Sequence, residues 1–338
     1  MAKLRVATIG CGSIAQVLHL PGYAKNPNVE IVACADPDQR RWSEVQKKFG
    51  VDRFYKDYAD LLDNEALDAV SICSPNAFHA EQAYVALGLG LHVLCEKPMT
   101  LTRKEADILV SAARKAKTVF MVGFSQRFCH GIIEAKKILE SGKLGDPFMI
   151  RIRFAHEGPY PGWAKDDWFY DPKAAGGGAM LDMGIHAFDL ARHLFGDVKK
   201  VSASVKTIFK PIKVDDNAVV TLEFKNGALG YVEVGWTSLP GFNGAEIYCR
   251  HGNLIIDYTT GMRMISGRQL KSGRHKAVTK TFPFRPNEGG WDIEMDYFID
   301  CIRQGYQAEM DVVAGAEAVK IALAAYESAR TSKAVTIK

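Results

Sequence analysis

The sequence lacks several features that would set it apart from ordinary globular proteins. It has no run that approaches about 18 consecutive apolar residues, the length that a membrane-spanning helix needs. Its amino end, MAKLRVATIGCG, has no apolar stretch of the kind found in secretion signals. Low-complexity segments and internal repeats are also absent. These absences predict a globular protein of the cytoplasm with no membrane partner.

Metal-ligand patterns are lacking as well. The seven cysteines form no C-x-x-C pair. Cys34, Cys73 and Cys95 stand at the ends of apolar runs, which is typical of reduced thiols in a protein core. The sequence therefore predicts free, buried thiols and no metal site.

Neither sign of charge is in large excess. The chain has 43 Lys and Arg against 39 Asp and Glu, and it has no motif or basic face that would indicate a nucleic-acid partner. Residues 258–287 depart from this balance, because they contain no Asp or Glu but many Lys and Arg. We interpret this segment as a solvated hairpin or a subunit contact, with an anion-binding role as the alternative.

The length of 338 residues predicts two domains. In the first part of the chain, short apolar runs rich in Val, Ile and Leu alternate with segments of helical spacing, which predicts buried parallel strands joined by helical crossovers. The predicted strands are 4–9, 29–35, 68–73, 91–95 and 118–122, and the predicted helices are 13–25, 37–49, 57–62, 76–89 and 103–117.

The second part of the chain has a different pattern. Alternating apolar and polar runs separated by turn signals predict a largely antiparallel sheet. Its predicted strands begin near 148 and continue at 198–209, 217–224, 229–236, 245–249, 254–258 and 277–284, and the predicted helices are 130–141, 178–195, 292–303 and 312–329.

We therefore predict an α/β fold with a doubly wound parallel Rossmann sheet at 1–124. The predicted second domain, 125–338, is an α+β domain for substrate binding and oligomerisation with a large, mostly antiparallel open sheet. Its closing helix, about 312–330, is a candidate to pack back on the first domain.

A glycine motif follows the first predicted strand and opens the first helix. Gly10 permits a tight turn, Gly12 lets the backbone approach a pyrophosphate, and Ala15 allows the helix to pack closely on the strand. Ser13 and Ile14 begin the helix, whose N-terminus attracts phosphate. The order of strand, motif and helix predicts a dinucleotide site, whereas the motif alone would fit any tight turn.

The end of the second strand indicates which dinucleotide binds. Asp36 lies 21 positions after Ala15, where an acidic side chain accepts hydrogen bonds from the ribose hydroxyls of NAD. Arg40 and Arg41 follow closely, and a guanidinium there suits the 2′-phosphate of NADP. NAD is the predicted cofactor, and NADP is the alternative.

Lys97 ends the fifth predicted strand in the sequence Cys95-Glu96-Lys97-Pro98. Open parallel sheets bind their ligands at the carboxyl ends of the strands, so this lysine is a candidate catalytic residue. The proline makes a cis Lys97-Pro98 bond accessible. A solvated loop lysine is the alternative interpretation.

A second candidate group lies in the predicted helix 178–195. Asp182, His186, Asp189 and His193 fall on one stripe of that helix, between two apolar stripes. A carboxylate and an imidazole one turn apart suit proton transfer at neutral pH. Two alternatives are a set of structural polar groups and a metal site made by Asp182, His186 and His193.

With these motifs in view, the chain resembles the Gfo/Idh/MocA family of oxidoreductases from end to end. The resemblance rests on the Gly10 turn, Ser74-Pro75-Asn76 with His79, Glu96-Lys97-Pro98, residues 123–128, residues 176–189 and the closing pattern of residues 311–335.

The resemblance implies three sets of site residues. Those of the catalytic group are Lys97, Asp182 and His186. Those around the nicotinamide half of the cofactor are Ser74, Asn76, His79 and Glu96, and Lys97 and Gln126 are further cofactor contacts. Those that border the substrate are Arg127 and Trp168, with the catalytic group. The resemblance further implies a polyol, sugar or sugar derivative as substrate, and a homodimer or homotetramer assembled through the C-terminal sheet.

The loop 156–173, with Tyr160, Trp163, Trp168 and Tyr170, differs among members of such a family, so it does not identify the sugar. We expect oxidation of a secondary alcohol, or the reverse reduction, with His186 as the immediate acid/base and Lys97 on the reacting oxygen. Lys97 as the base is the alternative. A glycosidase that uses tightly bound NAD, and a sugar sensor without catalysis, are the competing functions.

Overall fold

The structure is a computed structural model that describes residues 2–159, 167–239, 242–269, 273, 275–283 and 290–338. Two residues of the aromatic loop, Tyr160 and Trp163, lie outside these ranges. The chain divides into two compact units. Unit 1 comprises Met1–Phe124, Pro159–Gly176 and Trp291–Val319, and unit 2 comprises Ser125–Gly158, Gly177–Gly290 and Lys320–Lys338.

A six-stranded parallel sheet is the centre of unit 1. Its spatial order is β3-β2-β1-β4-β5-β6, the order of a doubly wound dinucleotide-binding sheet, which confirms the predicted fold class. The strands are β1 (Leu4–Ile9), β2 (Val29–Ala35), β3 (Phe54–Tyr55), β4 (Ala69–Ile72), β5 (His92–Cys95) and β6 (Phe120–Val122). The connecting helices are α1 (Leu20–Lys25), α2 (Arg40–Phe49), α3 (Tyr58–Asn64), α4 (Asn76–Gly88) and α5 (Arg103–Ala116).

The helix that follows the glycine motif is not the single α-helix that the sequence predicts. A π-helical turn, Ala15–His19, precedes α1, and the Leu20 N–H donates to the carbonyl of Ala15, five residues earlier. Pro21 follows at the start of α1, and since proline has no N–H it cannot continue an α-helical ladder. The wider turn accommodates the proline and turns His19 into the core, where it is fully buried.

Two segments outside residues 1–124 belong to unit 1 because they bond to its sheet and its loops. The Val122 N–H at the end of β6 donates to the carbonyl of Met310 at 2.8 Å. The side-chain amide of Asn76 donates to the carbonyl of Ala175 at 2.9 Å. The later helices of the chain are α6 (His130–Glu140), α7 (Pro172–Ala175), α8 (Ala179–Asp182), α9 (Gly184–Phe195), α10 (Trp291–Gln304) and α11 (Val312–Thr331). Helix α11 begins in unit 1 and ends in unit 2.

Unit 2 contains a nine-stranded sheet of order β14-β13-β12-β11-β7-β10-β9-β8-β15. Its strands are β7 (Pro147–Ala155), β8 (Val198–Lys206), β9 (Asn217–Phe224), β10 (Leu229–Gly235), β11 (Gly244–Cys249), β12 (Gly252–Asp257), β13 (Gly261–Gln269), β14 (His275–Pro283) and β15 (Val335–Thr336). Neighbouring strands are antiparallel except β10 and β7, which confirms the predicted sheet.

The strands β3, β13 and β15 are not among those predicted from the sequence. β3 and β15 have two residues each, too few for a periodic pattern to be visible. β13 lies in the basic segment 258–287, which we interpreted as a hairpin, and it does pair with β14 as an antiparallel hairpin.

The core of unit 1 contains an unusual carboxyl group, that of Glu294 on α10. The residue is fully buried, and neither oxygen has a hydrogen-bond partner among the described residues. Burial and, to a lesser extent, the nearby Glu96 raise the pKa of Glu294 well above its usual value. Burial without a partner therefore favours the neutral form of Glu294.

The raised pKa makes the contribution of Glu294 to stability depend on pH. Because the folded-state pKa exceeds the unfolded one, its contribution is fully present below the unfolded pKa and is lost as the pH rises through the folded pKa. Glu294→Gln keeps the shape and cannot ionise. We expect the melting temperature of the variant, relative to the natural chain, to increase by several degrees between pH 5 and pH 8, as measured by scanning calorimetry.

Glu327→Gln is the matched control, because Glu327 is exposed on α11. Its melting temperature should follow that of the natural chain at both pH values. A Glu294→Gln difference that is the same at both pH values would show that the buried carboxyl does not ionise on unfolding.

Candidate functional site

The glycine turn after β1 leaves no room for a side chain at Gly10. Gly10 has φ +90°, and a Cβ there would lie 2.6 Å from the backbone of Cys73 and of Ser74. At Gly12 a Cβ would lie 3.4 Å from Nη1 of Arg41. Ala15, at the third motif position, is fully buried, as the predicted close packing requires. The turn therefore exposes backbone and helix N-terminus to an incoming pyrophosphate, and its residues fit a dinucleotide.

Asp36 holds this turn in place. Its buried carboxylate accepts from the Cys11 N–H at 2.7 Å and from the Asp38 N–H at 2.8 Å. Nη1 of Arg41 donates to the same carboxylate at 3.1 Å. The acid at the end of β2 thus has a structural contact to the glycine motif in addition to the ribose contact predicted from the sequence. Ser13 is exposed and Ile14 half-buried beside the turn.

The two arginines after β2 differ in their surroundings. Arg40 is exposed and makes a bidentate pair with Asp38, with bonds of 2.8 and 2.9 Å, which holds the pKa of Asp38 at about 2. Arg41 is mostly buried and contacts Asp36. Both arginines are candidates for the 2′-phosphate of NADP, and Arg41 is the one that adjoins the glycine turn.

The residues after β4 bind mainly to the protein itself. The Ser74 hydroxyl donates to the side-chain carbonyl of Gln82 at 2.6 Å. The ring of His79 lies between two backbone carbonyls, that of Pro98 at 2.8 Å and that of Ser74 at 2.7 Å. Burial lowers the pKa of His79, against these carbonyls. Together with the Asn76 bond to Ala175, these contacts join α4 to the loops around it, and a role at the nicotinamide stays a prediction.

Lys97 lies on a segment that is fixed on both sides. The Lys97-Pro98 peptide bond is cis. The Lys97 N–H donates to Oε2 of Glu96 at 3.2 Å, and Nε2 of His19 lies 3.0 Å from Oε1 of the same carboxylate. Gly123 lies against this carboxylate, since a Cβ there would lie 2.9 Å from Oε1. His19 is not among the predicted site residues, because it lies 77 positions from Glu96 along the sequence.

In unit 2, Asp215 fixes the start of α8. Its carboxylate accepts from the N–H groups of Gly178 at 2.9 Å and Met180 at 2.7 Å, and from the Tyr326 hydroxyl at 2.7 Å. A Cβ on Gly178 would lie 1.9 Å from the Asp215 carbonyl, so glycine is required there. The four-residue helix α8 then ends at Asp182.

Asp182 and His186 are both buried, with 9% and 7% of their surface exposed. The indole N–H of Trp236 donates to Oδ2 of Asp182 at 3.3 Å. A donor on a buried carboxylate favours its ionised form, which is the form that can orient an imidazole. Trp236 is a further residue that the sequence analysis did not single out, because it lies 54 positions away from Asp182.

The predicted single helix 178–195 is wrong, because the helix breaks at Met183 between α8 and α9. Gly184 follows the break, and glycine weakens a helix by about 1 kcal/mol relative to alanine. The hydrogen bond across the break, from the Ala187 N–H to the Met183 carbonyl, is long at 3.4 Å.

The last two residues of the predicted polar stripe, Asp189 and His193, contact Arg127 or lie near it. Asp189 accepts two bonds from Arg127, of 2.7 and 2.5 Å, and both residues are buried. Burial raises the pKa of Asp189, against the arginine. Burial, with Arg127 and Lys136, lowers the pKa of His193 to about 3, so this ring is neutral. Arg127, expected beside the substrate, therefore has a structural ion pair, while Asp182 and His186 remain as the candidate proton-transfer pair.

Gln126 and Trp168, two further predicted site residues, each have one described side-chain contact. Gln126 lies on the 3₁₀ turn Ser125–Phe128, where the Cys129 thiol is 3.6 Å from its side-chain oxygen. Trp168 stacks on Phe169 with ring centroids 4.0 Å apart. Neither contact tests the roles that the resemblance implies.

Within the described ranges, no group of three or more His, Cys, Asp and Glu could hold a metal ion. The same residues contain no helix that is long and apolar enough to cross a membrane. The absence of a metal and a location in the cytoplasm stay predictions.

The doubly wound sheet, the glycine turn and the acid after β2 together define a dinucleotide-binding protein of the Rossmann class. A family model described as an oxidoreductase family with an NAD-binding Rossmann fold matches residues 4–124, and a GFO/IDH/MocA C-terminal domain matches residues 132–255. The chain belongs to the Gfo/Idh/MocA family of NAD-binding oxidoreductases.

Named relatives agree with this assignment. The chain is 31% identical to myo-inositol 2-dehydrogenase of Thermotoga maritima over 261 residues, which covers 75% of each protein. It is 32% identical to D-glucoside 3-dehydrogenase of Escherichia coli over 251 residues, 70% of this chain and 71% of the relative. A solved structure of levoglucosan dehydrogenase in complex with NADH and levoglucosan superposes with a TM-score of 0.88 at 25% identity over 99% of each chain.

The contacts of Asp36 predict how cofactor preference responds to mutation. The natural protein should prefer NAD over NADP, because the carboxylate repels a 2′-phosphate. Asp36→Ala removes that repulsion and releases Arg41, so it should reduce the ratio of kcat/KM for NAD to that for NADP by about tenfold or more. The ratio is measured with one substrate at saturating concentration.

Arg41→Ala in the Asp36→Ala background should abolish the gain for NADP, whereas Arg40→Ala, the matched control, should leave it. Equal kcat/KM for the two cofactors in the natural protein would contradict the assignment of Asp36.

Proposed function

We propose that this protein is an NAD-dependent dehydrogenase that oxidises a secondary alcohol of a cyclic polyol, a sugar or a sugar derivative, or catalyses the reverse reduction. The observation that carries the proposal is the burial of both Asp182 and His186 in unit 2, in a chain whose unit 1 has a complete dinucleotide turn. A sensor needs a nucleotide site and a ligand site but no buried acid/base pair. Relatives named as dehydrogenases of inositol and of a glucoside support the substrate class.

Bound nicotinamide supplies a hydride acceptor or donor. His186 takes the proton from the reacting hydroxyl oxygen, or returns it in the reverse direction. Asp182 orients the imidazole and contacts the substrate, and the Trp236 N–H holds its carboxylate in place. Lys97 donates a hydrogen bond to the reacting oxygen and stabilises the negative charge that develops on it.

A panel of substrates tests the reaction. Inositols, aldoses, glycosides and nucleotide sugars are each incubated with NAD and with NADP, and reduced nicotinamide is followed by its near-ultraviolet absorbance. We expect at least one cyclic polyol or sugar to give stoichiometric reduction. Release of free sugar from a glycoside without net reduction indicates a glycosidase, and binding without turnover across the panel indicates a sensor; either result contradicts the proposal.

Variants of the catalytic group test its members. Lys97→Met and His186→Ala should each lower kcat by about 10² to 10⁴, the usual effect of losing a positioned acid/base, while the Kd for NAD changes much less. Asp182→Asn should have an intermediate effect. His193→Gln is the matched control: this neutral histidine lies on the same helix, and its loss should change kcat by less than about threefold.

The two single losses should be far from additive, since Lys97 and His186 act on one oxygen. A double variant whose loss equals the product of the single losses, or a His186→Ala variant with nearly full turnover, would return His186 to a structural role.

We further propose that the outer face of the nine-stranded sheet is buried between subunits in a homodimer or homotetramer. Val219 on β9 and Leu229 on β10 are apolar residues on one face, and about half of each is exposed in the single chain. The Arg151–Glu246 pair lies on the same face, at 3.0 Å. Exposed apolar groups among ion pairs are typical of protein interfaces.

Light scattering at micromolar concentration should therefore give the mass of a dimer or a tetramer. Val219→Asp with Leu229→Asp should shift the mass towards the monomer, because each introduces an unpaired charge into the interface. Ile208→Asp, at an exposed loop position, is the control. A monomeric mass for the natural chain would contradict the proposed assembly.

A further inference from the structure

A network of buried polar side chains in unit 1 extends to the backbone of Lys97. The Tyr23 hydroxyl lies 2.5 Å from Oγ of Ser71, and Oγ of Ser71 lies 3.1 Å from Nδ1 of His19. Nε2 of His19 lies 3.0 Å from Oε1 of Glu96, whose other oxygen accepts from the Lys97 N–H. Tyr23, Ser71, His19 and Glu96 are all buried. The reaction proposed above does not use the first three.

Four parts of the fold contribute one residue each to this network. His19 ends the π-helical turn, Tyr23 lies on α1, Ser71 lies on β4 and Glu96 follows β5. Gly22, next to Tyr23, lets α10 approach, since a Cβ there would lie 2.4 Å from the Met295 side chain. Local packing thus closes the site against water, so the polar atoms must satisfy one another.

The number of hydrogens available to these contacts assigns the protonation state of His19. A tyrosine hydroxyl and a serine hydroxyl bring one hydrogen each, and the two contacts Tyr23–Ser71 and Ser71–His19 take one hydrogen each. Both are filled if Tyr23 donates to Ser71 and Ser71 donates to Nδ1 of His19. A hydrogen on Nδ1 would make three hydrogens for two contacts and leave one buried and unused, which costs about 1–3 kcal/mol. Nδ1 is therefore bare, and His19 is neutral with its hydrogen on Nε2.

The neutral Nε2–H tautomer requires an acceptor at Glu96. Oε1 of Glu96 must accept from Nε2–H, because a hydrogen on Oε1 that donated to Nε2 would force the ring hydrogen onto Nδ1 and recreate the conflict at Ser71. Oε2 accepts from the Lys97 N–H, so both oxygens of Glu96 act as acceptors, as those of a carboxylate do. Burial favours the neutral form of the other nearby acid, Glu294, because it raises the pKa of that carboxyl well above its usual value.

We propose that His19 is a positioning residue that holds Glu96 as a buried anion against the backbone of Lys97. The role of Lys97 in this inference rests on the proposed function. Without the Nε2–H donor the carboxylate has lost a buried partner, and protonation becomes the less costly state. The fixed negative charge one residue from Lys97 also favours its ammonium form, which suits a hydrogen-bond donor better than a base.

Four further titratable groups interact electrostatically with Glu96. Glu294 lies on α10, His79 lies on α4, and the thiols of Cys73 and Cys95 follow β4 and end β5. Burial raises the pKa of both thiols well above the usual value, so they remain neutral. Burial lowers the pKa of His79, which keeps that ring neutral at and above neutral pH. None of these groups therefore supplies the positive charge or the donor that His19 gives to Glu96.

The kinetic test compares two substitutions of His19. His19→Leu removes donor and acceptor together, whereas the amide of His19→Gln offers an N–H for Glu96 and a carbonyl for Ser71. With the substrate found in the panel, His19→Leu should lower kcat by about 10-fold to 100-fold and move the acidic limb of kcat/KM up by about one pH unit or more. His19→Gln should restore the limb to within about half a unit.

Tyr23→Phe is the matched control within the same polar network, since it removes the hydroxyl farthest from Glu96. It should leave the acidic limb in place. If His19→Leu and His19→Gln lower kcat equally and leave the limb unmoved, the histidine has only a packing role and the proposal is overturned.

Nitrogen NMR of the histidine side chains in the natural protein provides a test that needs no substrate. At pH 7, His19 should show one protonated and one bare ring nitrogen, with the hydrogen on Nε2; a doubly protonated ring, or the hydrogen on Nδ1, would overturn the proposal. This result stands even if no sugar is turned over, so a failure of the proposed function and a failure of the His19 assignment can be told apart.

Discussion

The parallel register of the central strands is the constraint on which the site in unit 1 depends. The Cys73 N–H donates to the Ile9 carbonyl at 2.7 Å, the Glu96 N–H donates to the Ile72 carbonyl at 2.9 Å, and the Gly123 N–H donates to the Cys95 carbonyl at 2.8 Å. Each bond joins the residue after one strand to the last residue of its neighbour. They align the carboxyl ends of β1, β4, β5 and β6, so the glycine turn, Ser74 and the Lys97 segment lie along one edge. These backbone hydrogen bonds determine where the loops at that edge lie, and the contacts of Asp36 and His19 depend on those positions.

Much of this arrangement could be predicted from the sequence, because it depends on short-range signals. Buried parallel strands are continuous apolar runs, and the glycine turn needs Gly10 and Gly12 at a fixed spacing, so both are visible in one sequence. The break at Met183 was missed because the apolar and polar stripes continue in phase on either side of it. The π-helical turn was missed for the same reason: a proline near the start of a helix is ordinary, and the periodicity gives no sign that one residue is added before it.

The rest of the candidate site depends on pairs that are distant in the sequence. Ser71 and Glu96 lie 52 and 77 positions from His19, and Arg127 lies 62 positions from Asp189. No local pattern distinguishes a histidine bound to a carboxylate from one in a loop. Helical spacing alone places Asp189 on a polar stripe with His186. Such spacing cannot show that a buried arginine from another segment forms an ion pair with Asp189. Likewise, the sequence does not show that Arg41 rather than Arg40 adjoins the glycine turn, since adjacent residues on a helix point to different surroundings.

The buried pair of Arg127 and Asp189 has a consequence for how this sequence can change over time. Loss of either partner alone leaves a charge buried without compensation, at a cost of about 3 to 5 kcal/mol, while replacement of both by apolar groups of similar volume is close to neutral. A lineage cannot cross from one solution to the other in single, tolerated steps unless stability gained elsewhere absorbs the loss. The substitutions that the fold tolerates at these two positions, on a short turn and on α9, therefore depend on one another.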